Sequence, residues 1–117
     1  MKALTLALAA LALGPQLAWA HAHLKQSTPA SGSAAASPAA ISATFTEGLE
    51  PAFSTLAVTG ADGRAVDLGK AAPAPGDDKT LVLPVSQALP AGGYTVQWQV
   101  LSKDGHKTRG DWKFTVK

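Results

Sequence analysis

Tyr94-Thr95-Val96-Gln97-Trp98-Gln99-Val100 alternates apolar and polar side chains without a break, and Trp112-Lys113-Phe114-Thr115-Val116-Lys117 repeats the pattern. Successive side chains of a β-strand point to opposite faces, so each segment reads as a strand with one dry and one wet face. Ile41, Ala43 and Phe45 alternate in the same way with Ser42, Thr44 and Thr46. Turn-forming residues punctuate the chain between these runs: Pro29 to Gly32, Glu47-Gly48, Gly60 to Gly63, Pro73 to Asp78, Pro90 to Gly93 and Asp104-Gly105. No stretch sustains helical periodicity. The alanine-rich piece Ser33 to Ala40 is short, contains Ser37-Pro38 and lacks large apolar residues, so a loop or single turn is expected there.

About seven short strands follow from this reading, near Lys25 to Thr28, Ala40 to Phe45, Ser54 to Thr59, Ala65 to Leu68, Thr80 to Pro84, Gly93 to Leu101 and Thr108 to Val116. The pattern predicts an all-β, immunoglobulin-like β-sandwich of antiparallel strands, with Trp98 and Phe45 as inter-sheet core residues. No internal repeat or second domain is visible.

The N-terminal segment stands apart. Met1-Lys2 opens a run that is apolar from Ala3 to Leu13 apart from Thr5, followed by Gly14-Pro15 and Ala18-Trp19-Ala20. This is the pattern of a secretory signal peptide over residues 1–20, cut after Ala20, with the domain over residues 21–117. A membrane anchor needs about 20 apolar residues, more than this run supplies. After cleavage 97 residues remain, nine basic and eight acidic, with 22 apolar side chains larger than alanine for the core. A chain of this size can fold around one modest core.

Composition excludes several kinds of chemistry. The chain has no cysteine, and its one methionine is Met1, so disulfides, thiolate metal sites and thioether clusters are absent from the expected domain. Basic residues are scattered and form no stripe suited to nucleic acid. The glycines match no phosphate-binding spacing, and Ser27 and Ser102 lack a hydrolase motif around them. Any metal must use nitrogen and oxygen ligands.

The histidines supply such ligands. Cleavage makes His21 the first residue, so its α-amino nitrogen and imidazole can chelate one ion together. Reference pKa values of about 7.7–8.0 and 6.5 leave little proton competition near neutral pH. The second cluster is Ser102-Lys103-Asp104-Gly105-His106, where Asp104 and His106 lie two residues apart around a glycine that permits a tight turn. Joined to His21 they offer three nitrogens and one carboxylate oxygen, a set that favours Cu(II). Taken alone, Asp-Gly-His is more often a solvated turn. His23 alternates with Leu24 and reads as exposed. It also offers a competing mode, in which the amine, two deprotonated amides and the His23 imidazole wrap Cu(II), unless those amides are committed to the first strand.

His21-Ala22-His23-Leu24 with Ser27-Thr28-Pro29, Phe45-Thr46-Glu47-Gly48, Tyr94-Thr95-Val96-Gln97-Trp98 and Ser102-Lys103-Asp104-Gly105-His106-Lys107 together resemble the periplasmic copper-binding proteins of the CopC family. The resemblance covers nearly all of the chain after Ala20. It implies a Greek-key β-sandwich with a periplasmic Cu(II) site, one ion per chain, formed by the His21 amine and imidazole, Asp104 and His106. Glu47 matches an acidic position near that site, where it would orient the amine by a hydrogen bond; the alternative is a solvated carboxylate before the Gly48 turn. Some relatives carry a methionine-rich Cu(I) loop, but the stretch from Gly60 to Leu81 contains no methionine, so a Cu(II)-only member is expected.

The implied role is a monomeric copper carrier or buffer in copper homeostasis and resistance, with an inner-membrane copper transporter as its partner. It is not expected to be an enzyme, to bind nucleic acid or to keep a membrane anchor. Two other readings compete. A terminal-histidine copper site also resembles that of the lytic polysaccharide monooxygenases, although 97 residues leave little room for a substrate platform and Asp104 would fill a position needed by oxygen. An immunoglobulin-like structural domain with incidental histidines is the third.

Overall fold

The computed structural model describes residues 22–117. The signal segment Met1–Ala20 and His21 lie outside the described residues. Among the described residues nine strands form two sheets: β1 (Leu24–Thr28), β2 (Ala34–Ala35), β3 (Ala40–Phe45), β4 (Thr55–Gly60), β5 (Ala65–Val66), β6 (Ala72–Ala74), β7 (Asp77–Pro84), β8 (Gly92–Leu101) and β9 (Lys107–Val116). One sheet has the order β1-β3-β7-β6, the other β2-β9-β8-β4-β5. The chain leaves the first sheet after β3 to build β4 and β5, returns for β6 and β7, and crosses again for β8 and β9. These crossings make a Greek-key sandwich. A 3₁₀ turn at Pro51–Phe53 precedes β4. No helix among the described residues is long and apolar enough to cross a membrane.

The alternating patterns of β3, β8 and β9 face the core as their spacing predicts. Ile41, Ala43, Phe45, Tyr94, Val96, Trp98, Val100, Trp112, Phe114 and Val116 are all buried. Phe45 meets Trp98 edge to face across the two sheets, with ring centroids 5.1 Å apart and planes at 70°. Tyr94 stacks on Phe114 at 5.5 Å, and its hydroxyl donates to the Pro90 carbonyl at 2.6 Å. Such aromatic pairs bring large apolar areas together in a geometry that complements their ring quadrupoles. Opposite Trp98 on β9 stands Gly110. A Cβ at that position would lie 2.6 Å from Trp98 Cζ2, so only glycine leaves room for the indole.

The expectation of about seven antiparallel strands is corrected in detail. β2 lies where a loop or turn was expected and pairs in parallel with β9, Ala34 opposite Thr115 and Ala35 opposite Val116. β6 overlaps the start of the Pro73 to Asp78 turn signal and pairs with β7, which starts at Asp77. A two- or three-residue strand is too short to display a period of two, and its pairing is decided by the neighbour that offers hydrogen bonds. Pro73 lacks a backbone N–H and is tolerated because β6 is an edge strand. β5 stops at Val66, while Leu68 still packs partly against the core.

The register collects four chain segments at one end of the sandwich. Leu24 at the start of β1 pairs with Phe45 at the end of β3. Leu101 at the end of β8 pairs with Lys107 at the start of β9. Thr108 Oγ1 donates to the Ala22 carbonyl and the Lys103 N–H to the Gly48 carbonyl, so the loop that carries Asp104 and His106 projects from the end at which the chain enters β1.

Candidate metal centre

Residues 102–106 form a tight connection between β8 and β9. The Ser102 N–H donates to the His106 carbonyl at 2.9 Å, and the Gly105 N–H donates to the Ser102 carbonyl at 2.9 Å. Gly105 sits at φ +92°, a region L-residues rarely adopt, which explains the glycine between the two candidate ligands. The turn brings both heads together: His106 Nδ1 lies 3.1 Å from Asp104 Oδ1. The two side chains are 45% and 46% exposed, open enough for an ion to reach them from solvent.

Beneath them Ser102 is 1% exposed. Its hydroxyl donates to Asp104 Oδ1 in a short hydrogen bond and accepts from the His106 N–H at 3.3 Å. Hydrogen bonds from Ser102 and then His106 hold the Asp104 carboxyl below its usual range, which keeps it ionised and ready to ligate. The loop is also tied sideways. Lys103 Nζ donates to Asp78 Oδ2 at 2.7 Å, and the Lys103 N–H donates to the Gly48 carbonyl at 2.9 Å. The ammonium lowers the Asp78 carboxyl and is itself raised by it.

The N-terminal side of the site is anchored just after His21. Ala22 is fully buried, and its carbonyl accepts from Thr108 Oγ1 at 2.9 Å. His23 is exposed, and its backbone exchanges two hydrogen bonds with Thr46. The His23 N–H donates to Thr46 Oγ1 at 3.0 Å, and the Thr46 N–H donates to the His23 carbonyl at 2.9 Å. The His23 amide is thus committed, as expected, although to a threonine hydroxyl rather than to the backbone ladder.

Glu47 is half-buried and lies between two of these junctions, with Thr46 joined to His23 and Gly48 joined to Lys103. Its main chain therefore borders both the entry to β1 and the loop of Asp104 and His106. Among the described residues, His, Asp and Glu form no group of three that could hold a metal. Of the three residues expected as ligands, Asp104 and His106 lie side by side, and His21 lies outside the described residues.

Sequence reading missed the parts that hold this pair. Ser102 has no hydrolase motif around it and opens the Asp104–His106 cluster without an assigned role, yet its place two residues before Asp104 is one from which a hydroxyl can reach a carboxylate across a turn. Thr46 reads from the sequence only as a wet-face residue, and Thr108 only as the start of the last strand. Trp98 is buried beside Gly110, and its indole N–H has no partner among the described residues.

Comparison with known proteins agrees with the architecture. The CopC domain matches residues 24–117. The chain is 42% identical over 100 residues to Protein YobA of Escherichia coli K12, covering 85% of this chain and 81% of that protein. It is 41% identical over 107 residues to Copper resistance protein C of Escherichia coli, covering 86% of this chain and 84% of that one. The crystal structure of PcoC, a methionine-rich copper resistance protein from Escherichia coli, superposes with a TM-score of 0.74 at 37% identity, covering 84% of this chain and all of that one. The β-sandwich, the match from the first strand to the last, and the identity to copper resistance proteins together establish that this chain belongs to the CopC family.

Proposed function

We propose that the protein is a periplasmic Cu(II)-binding carrier or buffer, which holds one ion as cargo between the His21 amine and imidazole, Asp104 and His106. The observation that carries this reading is the convergence at one end of the sandwich. Asp104 and His106 touch in a half-exposed pair, and the Ala22 carbonyl is fixed to Thr108, two residues beyond His106. That bond ties the first described residue to the strand that leaves the Asp104–His106 loop. Donors at right angles with metal–ligand distances of about 2.0–2.2 Å stand about 3 Å apart, which matches the Asp104–His106 separation of 3.1 Å.

The donor set suits Cu(II) over Cu(I), since it is nitrogen and oxygen throughout, and the domain after Ala20 contains no methionine or cysteine. Glu47, bordering both halves of the site, orients the terminal amine by a hydrogen bond. The signal peptide over residues 1–20 directs export to the periplasm and, by its removal, creates the amine ligand. The domain acts as a monomer and passes the ion to an inner-membrane copper transporter, contributing to copper homeostasis and resistance.

The test compares the protein beginning at a free His21 with a version carrying one extra residue before it. The free form takes up one equivalent of Cu(II) in a competition titration. The extended form, whose residue-21 nitrogen is an amide, binds orders of magnitude more weakly. Equal affinity of the two forms would remove the amine from the ligand set.

A further inference from the structure

The hydroxyl of Ser102 has one proton and three polar neighbours: Asp104 Oδ1, the His106 N–H at 3.3 Å and the His106 carbonyl at 3.2 Å. Their chemistry fixes which bond goes where. The His106 carbonyl already accepts from the Ser102 N–H at 2.9 Å. A bond from a hydroxyl to an ionised carboxylate is about twice as strong as a neutral one, so the proton goes to Asp104. The His106 N–H then donates to a lone pair on the same oxygen. One buried atom is thereby bound both to the Asp104 side chain and to the His106 main chain, at a residue 1% exposed.

We infer that Ser102 is the positioning residue of the copper site, its hydroxyl holding the Asp104 carboxylate against His106 before the ion arrives. This role rests on the reading of Asp104 and His106 as ligands. Asp104 itself is nearly half exposed, and its other partners are the His106 backbone N–H and the His106 ring, which a metal would draw on for its own coordination. Ser102 is the side-chain partner that persists when copper binds, because a carboxylate oxygen has lone pairs for both a hydroxyl and an ion. Outer partners of this kind are worth about 10–100-fold in metal affinity.

The experiment uses the protein with a free His21 and five forms: wild type, Ser102→Ala, Ser102→Thr, Asp104→Ala and the double variant Ser102→Ala/Asp104→Ala. Cu(II) affinity is measured by competition titration, the coordination by electron paramagnetic resonance, and folding by circular dichroism. Ser102→Ala is expected to bind about 10–100-fold more weakly than wild type with altered copper hyperfine values. Ser102→Thr, which keeps the hydroxyl, retains the wild-type spectrum. In the Asp104→Ala background the Ser102→Ala change costs no more than about twofold further, because its effect passes through the missing carboxylate.

A Ser102→Ala protein with wild-type affinity and spectrum overturns the role. So does an equal loss in the presence and absence of Asp104, which marks Ser102 as a residue of the fold alone. Should Ser102→Ala fail to fold, Ser102→Thr decides: a folded threonine variant that binds as weakly as Asp104→Ala overturns the role, and one that binds as wild type supports it. A wild-type protein that takes up no Cu(II) sinks the ligand assignment itself, and this role with it.

Discussion

Replacing Gly110 by alanine probes the junction between the two sheets without touching a candidate ligand. The new Cβ would stand 2.6 Å from Trp98 Cζ2, 2.9 Å from Cε2 and 3.2 Å from Nε1. Carbon atoms rest at about 3.5–4.0 Å, so the indole must retreat by about 1 Å. It has little freedom to do so, since Trp98 is 9% exposed and its face is met by the Phe45 ring at 5.1 Å. Overpacking of this kind costs about 1–3 kcal/mol, and removing a glycine from a strand interior returns about 0.5–1 kcal/mol. The net expectation is a loss of about 1–2 kcal/mol, which in a domain near 100 residues lowers Tm by on the order of 5–15 °C. Thermal unfolding of the apo protein, followed by circular dichroism, measures it. A Tm equal to or above that of wild type would refute the claim that glycine is required here by the indole. The Cu(II) affinity of the folded variant should fall less than that of His106→Ala, because residues 102–106 keep their hydrogen bonds.

The two histidines near the ends of the site should separate cleanly. His23→Ala keeps the wild-type Cu(II) resonance spectrum, while His106→Ala binds more weakly and shifts toward the His21-Ala22-His23 mode, which requires the His23 amide to leave Thr46 Oγ1; the opposite ranking would make the terminal tripeptide the native site. Affinity for Cu(II) should drop as pH falls, because the amine and imidazoles must shed their protons to ligate, and a flat profile from pH 7 to 5 would contradict nitrogen-rich ligation. Hydrogen bonding holds the carboxyls of Asp77, Asp78 and Asp104 below the ordinary 3.8, so the stability they lend is fully present above that value and is lost as pH falls through their lower folded values. The Tm difference between wild type and Asp78→Asn, which breaks the Lys103 ion pair, should therefore be present at neutral pH and vanish well below 3.8; a difference that persists in strong acid would show that the pair is not its source.

What the linear sequence determined is what local periodicity and spacing can carry. Alternation at Tyr94–Val100 and Trp112–Val116 named two core strands and their buried faces, because a period of two is a property of each strand by itself. The Asp-Gly-His spacing likewise fixed a turn that joins Asp104 to His106, since both ends of that contact lie within three residues. Only the tertiary structure decided the support around them. Thr108 binds the Ala22 carbonyl across 86 positions, Thr46 binds the His23 amide across 23, and Lys103 reaches Asp78 across 25. None of these partners is implied by its neighbours in the chain. The parallel pairing of Ala34 and Ala35 with β9 is of the same kind, chosen by the strand that happened to lie beside them. Ser102 shows the division most plainly: its distance from Asp104 is local, but its burial, which removes water as a competitor for that hydrogen bond, exists only once Leu49 is bridged to it and the sheets have closed.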